Sequence, residues 1–411
     1  MESMEEVMPD TNEQALHYLI NDADWDHQDV MDDIARDASR LIGGTPQSCL
    51  LIDETYFGKK GSHSAGVARQ WNGRLGKTDN CQVGVFSALC RNTYCVPIDC
   101  DLYLPQSWID DTKRLDKAKV PVDKRVFKTK TQLAVEQVDR ALSNGVQFSW
   151  VAVDGGYGQC PYFHEKMREF GIIYVADVHK NQAVYLEQTR PQARGRKGRL
   201  KVEAESVRLD RWLEQSEDIP WEIVSVRDGV KGPIRVRCKR FEAFIWNEPD
   251  QSPHVHHVTV LITQMPDGSD TKFAITNADA STPTWQLAYY QRQRFWVEQS
   301  FRDGKGEVGL HEYQVRSWHG WHRHMTLCFV ALLYMLELKL TTQDDLPLLS
   351  AHDARDILAA EFLGICVGVK PHDDLARILE ARHRRRHADI CNSYARKDLP
   401  VPDHYRPKVT K

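Results

Sequence analysis

The sequence predicts a mixed α/β fold, with a sheet of both strand directions and helices packed against it. Three observations predict this. From Cys49 the β-type runs "CLLID", "CQVGVFSALC" and "YCVPIDCDLYL" follow one another, with Gly and Asn residues between them that suit antiparallel turns. Next come an amphipathic helix, "KTQLAVEQVDRALSNG", the strand "FSWVAVDGGYG", a helix from about Tyr162 to Phe170 and the strand "GIIYVADV". That alternation lays helices on a sheet. The third observation is composition: 411 residues with 41% hydrophobic and 27% charged side chains give an ordinary globular chain with material for two or three folding units.

Taken in order, residues 1–47 form an acidic helical segment. Leu16, Leu19, Ile20, Val30, Ile34 and Leu41 recur there at helix-like spacings. Residues 48–183 hold the strands and helices just described, the first part of the core. A β-rich insertion follows over 184–280, with the runs "WEIVSVRDG", "IRVRCKRFEAFIW" and "HVTVLITQM". Residues 281–345 return to helix, and 346–411 form a basic helical tail. The longest apolar run, Met325–Leu336, is shorter than the ~20 residues that span a bilayer, so it predicts a core helix and no membrane association. The N-terminus has neither the basic start nor the apolar stretch of a signal or transit peptide. Ten cysteines occur without a CxxC pair, which argues against a zinc ribbon and predicts reduced structural thiols in a cytoplasmic protein.

The net charge of −4 is unevenly spread. Residues 1–40 carry twelve acidic and two basic side chains, which leaves about +6 on the remainder. Two runs stand out: "RPQARGRKGRLK", containing Arg194, Arg196, Lys197 and Arg199, and "ARHRRRH" from Ala381. Most such runs are solvated surface; two in one chain point to a polyanion partner.

Asp53 ends the run "LLID", Glu54 beside it faces the other side of the sheet, and Asp154 ends "VAVD". Carboxylates meeting at neighbouring strand ends repel unless a proton or a hard divalent cation bridges them. Either aspartate alone would more often cap a strand. The helix "YYQRQRFWVEQSFRDGKGE" adds Arg294, Glu298, Phe301 and Lys305, spaced to share one face. A solvent-facing ion-pair stripe is the plain reading. A carboxylate for metal flanked by two cations for phosphate is the functional one.

Asp, Asp and Glu in that order is the pattern of RNase H-like phosphoryl transferases. The chain resembles the IS701 type of bacterial insertion-sequence transposases, within the IS4 superfamily of DDE enzymes. The segments that carry the resemblance are "LLIDETYFGKKGSHSAGVARQWNGRLGKTDNCQVGVF", "DLYLPQSWIDD", "VAVDGGYG" and "VEQSFRDGKGEVGLHEYQVRSWHGWHRHMTL", spread over residues 49 to about 340. The resemblance implies an RNase H-like core interrupted by a β-rich insertion. It assigns Asp53, Asp154 and Glu298 as catalytic metal ligands for two Mg²⁺ ions, with Mn²⁺ as a substitute. It also implies DNA strand cleavage and strand transfer at transposon ends, on double-stranded DNA, by a homodimer. Arg294 and Lys305 fit the superfamily's Tyr-Arg-Glu-Lys signature as phosphate-binding residues. Its tyrosine position holds Gln291, with Tyr290 displaced by one. Only 52 residues precede Asp53, and they are strongly acidic, which fits either a naturally shortened member or a truncated copy. Two rival readings are a transposase-derived DNA-binding protein without catalysis and a paired-carboxylate glycosidase. The second leaves Arg294 and Lys305 unexplained.

Overall fold

The computed structural model describes residues 12–407 apart from 74, 195–197, 247–253 and 368–372. The acidic N-terminal segment forms two helices, α1 (Glu13–Asn21) and α2 (His27–Ile42), the second capped by the Asp26 carboxylate on the Gln28 amide. Four strands follow where three were expected: β1 (Ser48–Gly58), β2 (Ala68–Asn72), β3 (Lys77–Arg91) and β4 (Tyr94–Leu102). The β3–β4 hairpin turns on Asn92 and Thr93, and Asn92 takes φ 56°, a conformation that asparagine tolerates better than most residues.

Helix α3 (Lys130–Ser143) begins with a capping box in which Thr129 and Gln132 satisfy each other's exposed amides. Strand β5 (Trp150–Val153), helix α4 (Pro161–Glu169) and strand β6 (Ile173–Val178) complete the first part of the core. The segment 184–280 then supplies four long strands: β7 (Glu222–Arg227), β8 (Ile234–Ile245), β9 (His256–Gln264) and β10 (Lys272–Thr276).

All ten strands form one sheet, in the order β7-β8-β9-β10-β6-β5-β1-β3, with β4 and β2 both on the far edge of β3. Only the β1–β5 and β5–β6 pairings are parallel. The mixed sheet expected from the sequence is present, and the β-rich segment adds to it: β10 pairs antiparallel with β6 and carries the sheet outward. β5 is buried on both faces, which is why "WVAV" reads as an unbroken apolar run.

The sheet separates two cores. Along β1, Cys49, Leu51 and Phe57 enter one, while Leu50 and Ile52 enter the other. The first core is closed by α5 (Thr284–Gln293), α6 (Phe295–Glu307) and the N-terminal half of α7 (Trp318–Thr341). The second is closed by α3 and α4. Helix α7 starts seven residues earlier than the apolar run Met325–Leu336 that signals it in the sequence. By length and composition it could cross a membrane, but Trp321, Met325 and Phe329 are fully buried within the protein, as a core helix requires. Helices α8 (Ala351–Val367) and α9 (Asp373–Ala395) form the tail.

One expectation is corrected here. Cys90 and Cys95 face each other in the hairpin register with Cα atoms 4.2 Å apart and are joined in a disulfide, so the cysteines are not all reduced. The sequence hides this because a five-residue separation gives no sign that a two-residue turn will bring the pair together. The other described cysteines are free, and most are buried.

Candidate active site

β1 does not stop at Asp53; it runs on to Gly58 as an antiparallel arm against β3. What does stop is the parallel pairing with β5, whose last matched residues are Ile52 and Val153. Asp53 and Asp154 are therefore the next residue on each of two adjacent parallel strands. Alternation puts Asp53 and Thr55 on the α5–α6 face and Glu54 on the opposite face, as the sequence predicts.

Asp154 is fixed by its own turn. Its Oδ1 accepts the Gly156 and Tyr157 amides at 2.9 and 3.3 Å, capping the short helix Gly155–Gly158. Gly158 is required there, because a Cβ would lie 2.0 Å from the Asp177 carbonyl oxygen on β6. The glycines of "DGGYG" thus let the Asp154 turn sit directly on the neighbouring strand.

Arg294 falls in a one-residue break between α5 and α6, and its guanidinium lies inside the protein. Nη1 stands 2.6 Å from Asp177 Oδ2, and Nη2 stands 3.5 Å from Asp53 Oδ2. Burial opposes its charge, but Asp177, then Asp53 and Asp154, hold its pKa above the ordinary value. Burial pushes Asp53 up to about 7, with Arg294 pulling down and Asp154 and Glu298 pushing up. Asp177, which also accepts from Gln291 Nε2 at 2.9 Å, went unnoticed in the sequence because "YVADV" looks like any buried strand.

Glu298 is exposed one turn into α6. Lys305, further along the helix, donates from Nζ to Thr55 Oγ1 at 2.6 Å, which fastens α6 over β1. Tyr290 is buried, stacked on Trp150 with centroids 4.2 Å apart, and its hydroxyl accepts from Gln286. Arg194 pairs with Glu203, and Arg199 is exposed on the opposite strand of a small hairpin. Arg196 and Lys197 lie outside the described residues. On the far face Glu54 meets Lys130 Nζ at 2.9 Å and also takes hydrogen bonds from Tyr56 and from Tyr157, at 3.4 Å for the latter.

A family model described as DDE superfamily endonuclease matches residues 1–233. The chain belongs to the DDE superfamily endonucleases. It is also 25% identical over 307 residues to a protein of Microchaete diplosiphon named as a probable transposase for insertion sequence element IS701, covering 74% of this chain and 69% of that one. As a DDE endonuclease the chain has the mixed α/β core expected of it, and the family match includes Asp53 and Asp154. Its donor chemistry suits a hard divalent cation: oxygen ligands only, from a carboxylate whose charge burial disfavours and Arg294 supports. Among the described residues, however, no three acidic, His or Cys side chains stand together closely enough to hold an ion as they are placed. The structure brings Asp53 and Asp154 side by side and leaves Glu298 at the rim.

Proposed function

We propose that this DDE endonuclease is an insertion-sequence transposase that cuts DNA at the element's ends and joins the freed 3′ ends to target DNA, acting as a homodimer in cut-and-paste transposition. The observation that carries the reading is the pair Asp53 and Asp154 at the end of the β1–β5 parallel pairing, facing the helix that bears Glu298. Two carboxylates set next to each other where a parallel pairing ends repel unless a cation bridges them, so they serve a ligand rather than core packing. Asp53, Asp154 and Glu298 would hold a pair of Mg²⁺ ions, or Mn²⁺ in their place, which would supply Lewis-acid stabilisation at the attacking and leaving oxygens.

The chain's own contribution is positioning. The Asp154 turn is locked by its amide bonds and by the Gly158 contact with β6. Arg294 balances the charge of Asp53 from within. Lys305, seated on Thr55 about two turns beyond Glu298, offers a cation along the helix face where a phosphate backbone would pass. No side-chain nucleophile is needed, because water and then the 3′-hydroxyl attack phosphorus directly. The IS701 relative is named as a transposase, and that likeness over most of the chain supports the reading.

The test is incubation of the protein with duplex DNA carrying the element's own ends, with Mg²⁺ or Mn²⁺. The reading expects metal-dependent nicks that leave 3′-hydroxyl ends. Binding of the ends without any cutting in either metal would instead identify a DNA-binding protein.

A further inference from the structure

Asp177 has no part in the chemistry above, yet it is the centre of a buried polar chain that crosses the sheet. Its Oδ2 takes Arg294 Nη1 at 2.6 Å and its Oδ1 takes Gln291 Nε2 at 2.9 Å. Gln291 Oε1 in turn accepts the Thr263 hydroxyl at 2.7 Å. At the other end, Arg294 reaches Asp53 at 3.5 Å. The chain therefore runs from β9 through α5 to β6, then through the α5–α6 break to β1. Gln291 and Thr263 are almost wholly buried, so neither has water as an alternative partner.

The two contacts of Arg294 are unequal. The shorter one, a charge-assisted hydrogen bond, goes to Asp177, and Asp53 is left with a longer ion pair. We propose that Asp177 is a positioning residue that keeps the Arg294 guanidinium from closing on Asp53, leaving the Asp53 oxygens available to a divalent cation. The same bond fixes the start of α6, and with it the approach of Glu298. This rests on the reading of Asp53 as a cation ligand. Without the Asp177 charge, a buried guanidinium would turn to its other carboxylate, because an unpaired buried charge is costly. It would then compete directly with the metal.

The test measures Mn²⁺ binding to the DNA-free protein by electron paramagnetic resonance, with near-ultraviolet circular dichroism to confirm the fold. Asp177→Asn should raise the half-saturating Mn²⁺ concentration by roughly tenfold, the scale at which partners of metal ligands act. In an Arg294→Gln background the same change should have almost no effect, since the competitor is gone. A purely structural Asp177 would lower the unfolding temperature in both backgrounds and leave Mn²⁺ binding by the folded protein unmoved. If Asp177→Asn does not fold, Asp177→Ser also removes the charge that holds Arg294 and should shift Mn²⁺ binding in the same direction. Wild-type Mn²⁺ affinity in the variant that folds, or an equal loss with and without Arg294, overturns the inference. A wild-type protein that neither binds Mn²⁺ nor cuts DNA overturns the reading of Asp53 itself. A wild type that does both, with Asp177→Asn unchanged, overturns the inference alone.

Discussion

At the scale of single residues, the site is a problem of charge held at close quarters. Asp53 is buried beside Asp154 and balanced by one arginine, so small changes in charge there should matter far more to chemistry than to folding. Asp53→Asn, Asp154→Asn and Glu298→Gln keep the side-chain shapes and remove one ligand charge each. Each is expected to lower cleavage by more than about a hundredfold, beyond the effect of indirect partners of a metal site. A gel assay of end cleavage, read beside thermal unfolding, checks this; a variant cutting at near wild-type rate would remove its residue from the site. Gly158→Ala makes the opposite prediction. Its added carbon meets the Asp177 carbonyl, so stability should fall by ~1–3 kcal/mol, as in other overpacked positions, and urea unfolding measures it. Asp53, Asp154 and Glu298 are candidates in the sequence because each sits in a local pattern, the end of an apolar run or a helix face, although β1 in fact continues past Asp53 to Gly58. Asp177 was not, since its meaning comes from a partner 117 residues away. For Arg294 the sequence showed a cation on a helix face, but not the break in the helix that turns it inward.

At the scale of elements, helix periodicity is legible in the sequence and pairing between distant segments is not. α3 and α7 follow from amphipathic or apolar runs, and the structure adds Thr129 and Ser317 as their caps. Strand β2 was missed because five residues alternating on an edge give a weak pattern. The basic run on α9 is only partly free surface, since two of its half-buried arginines are engaged by α8. Arg382 and Arg386 both pair with the buried Asp353 on α8, while Arg384 and Arg385 face outward. Burial works against the Asp353 charge, but these arginines and Ser350 hold its pKa below the usual 3.8. A depressed native pKa means the pairing stabilises the docked helices above pH 3.8 and is lost as pH falls toward the native value. Hydrogen-exchange protection along α8 and α9, taken relative to unstructured peptide at each pH, should therefore fall below about pH 4, and Asp353→Asn should lower it already at neutral pH. Protection in these helices that is unchanged between pH 6 and pH 3 would show that the ion pairs do not hold them.

At the scale of the whole molecule, a net charge of −4 conceals an acidic N-terminal part and a basic remainder. If the small hairpin bearing Arg194 and Arg199 tracks a DNA backbone, neutralising Arg194, Arg196, Lys197 and Arg199 should weaken binding to any duplex. It should also flatten the salt dependence by up to ~0.9 in log–log slope for each phosphate left without its cation. An unchanged slope in a filter-binding titration would leave that hairpin as plain surface. The continuous sheet carries a further consequence. Because β10 zips onto β6, and Thr263 on β9 is bonded to Gln291 above Asp177, the segment between residues 184 and 280 cannot be lifted out as a cassette. Excising it would bare the edge of β6, a template for pairing with other chains. Chimeras with relatives would have to exchange the seam as a unit, β6 through β10 together with α5, because a graft cut at the chain positions 184 and 280 would divide one sheet between two ancestries.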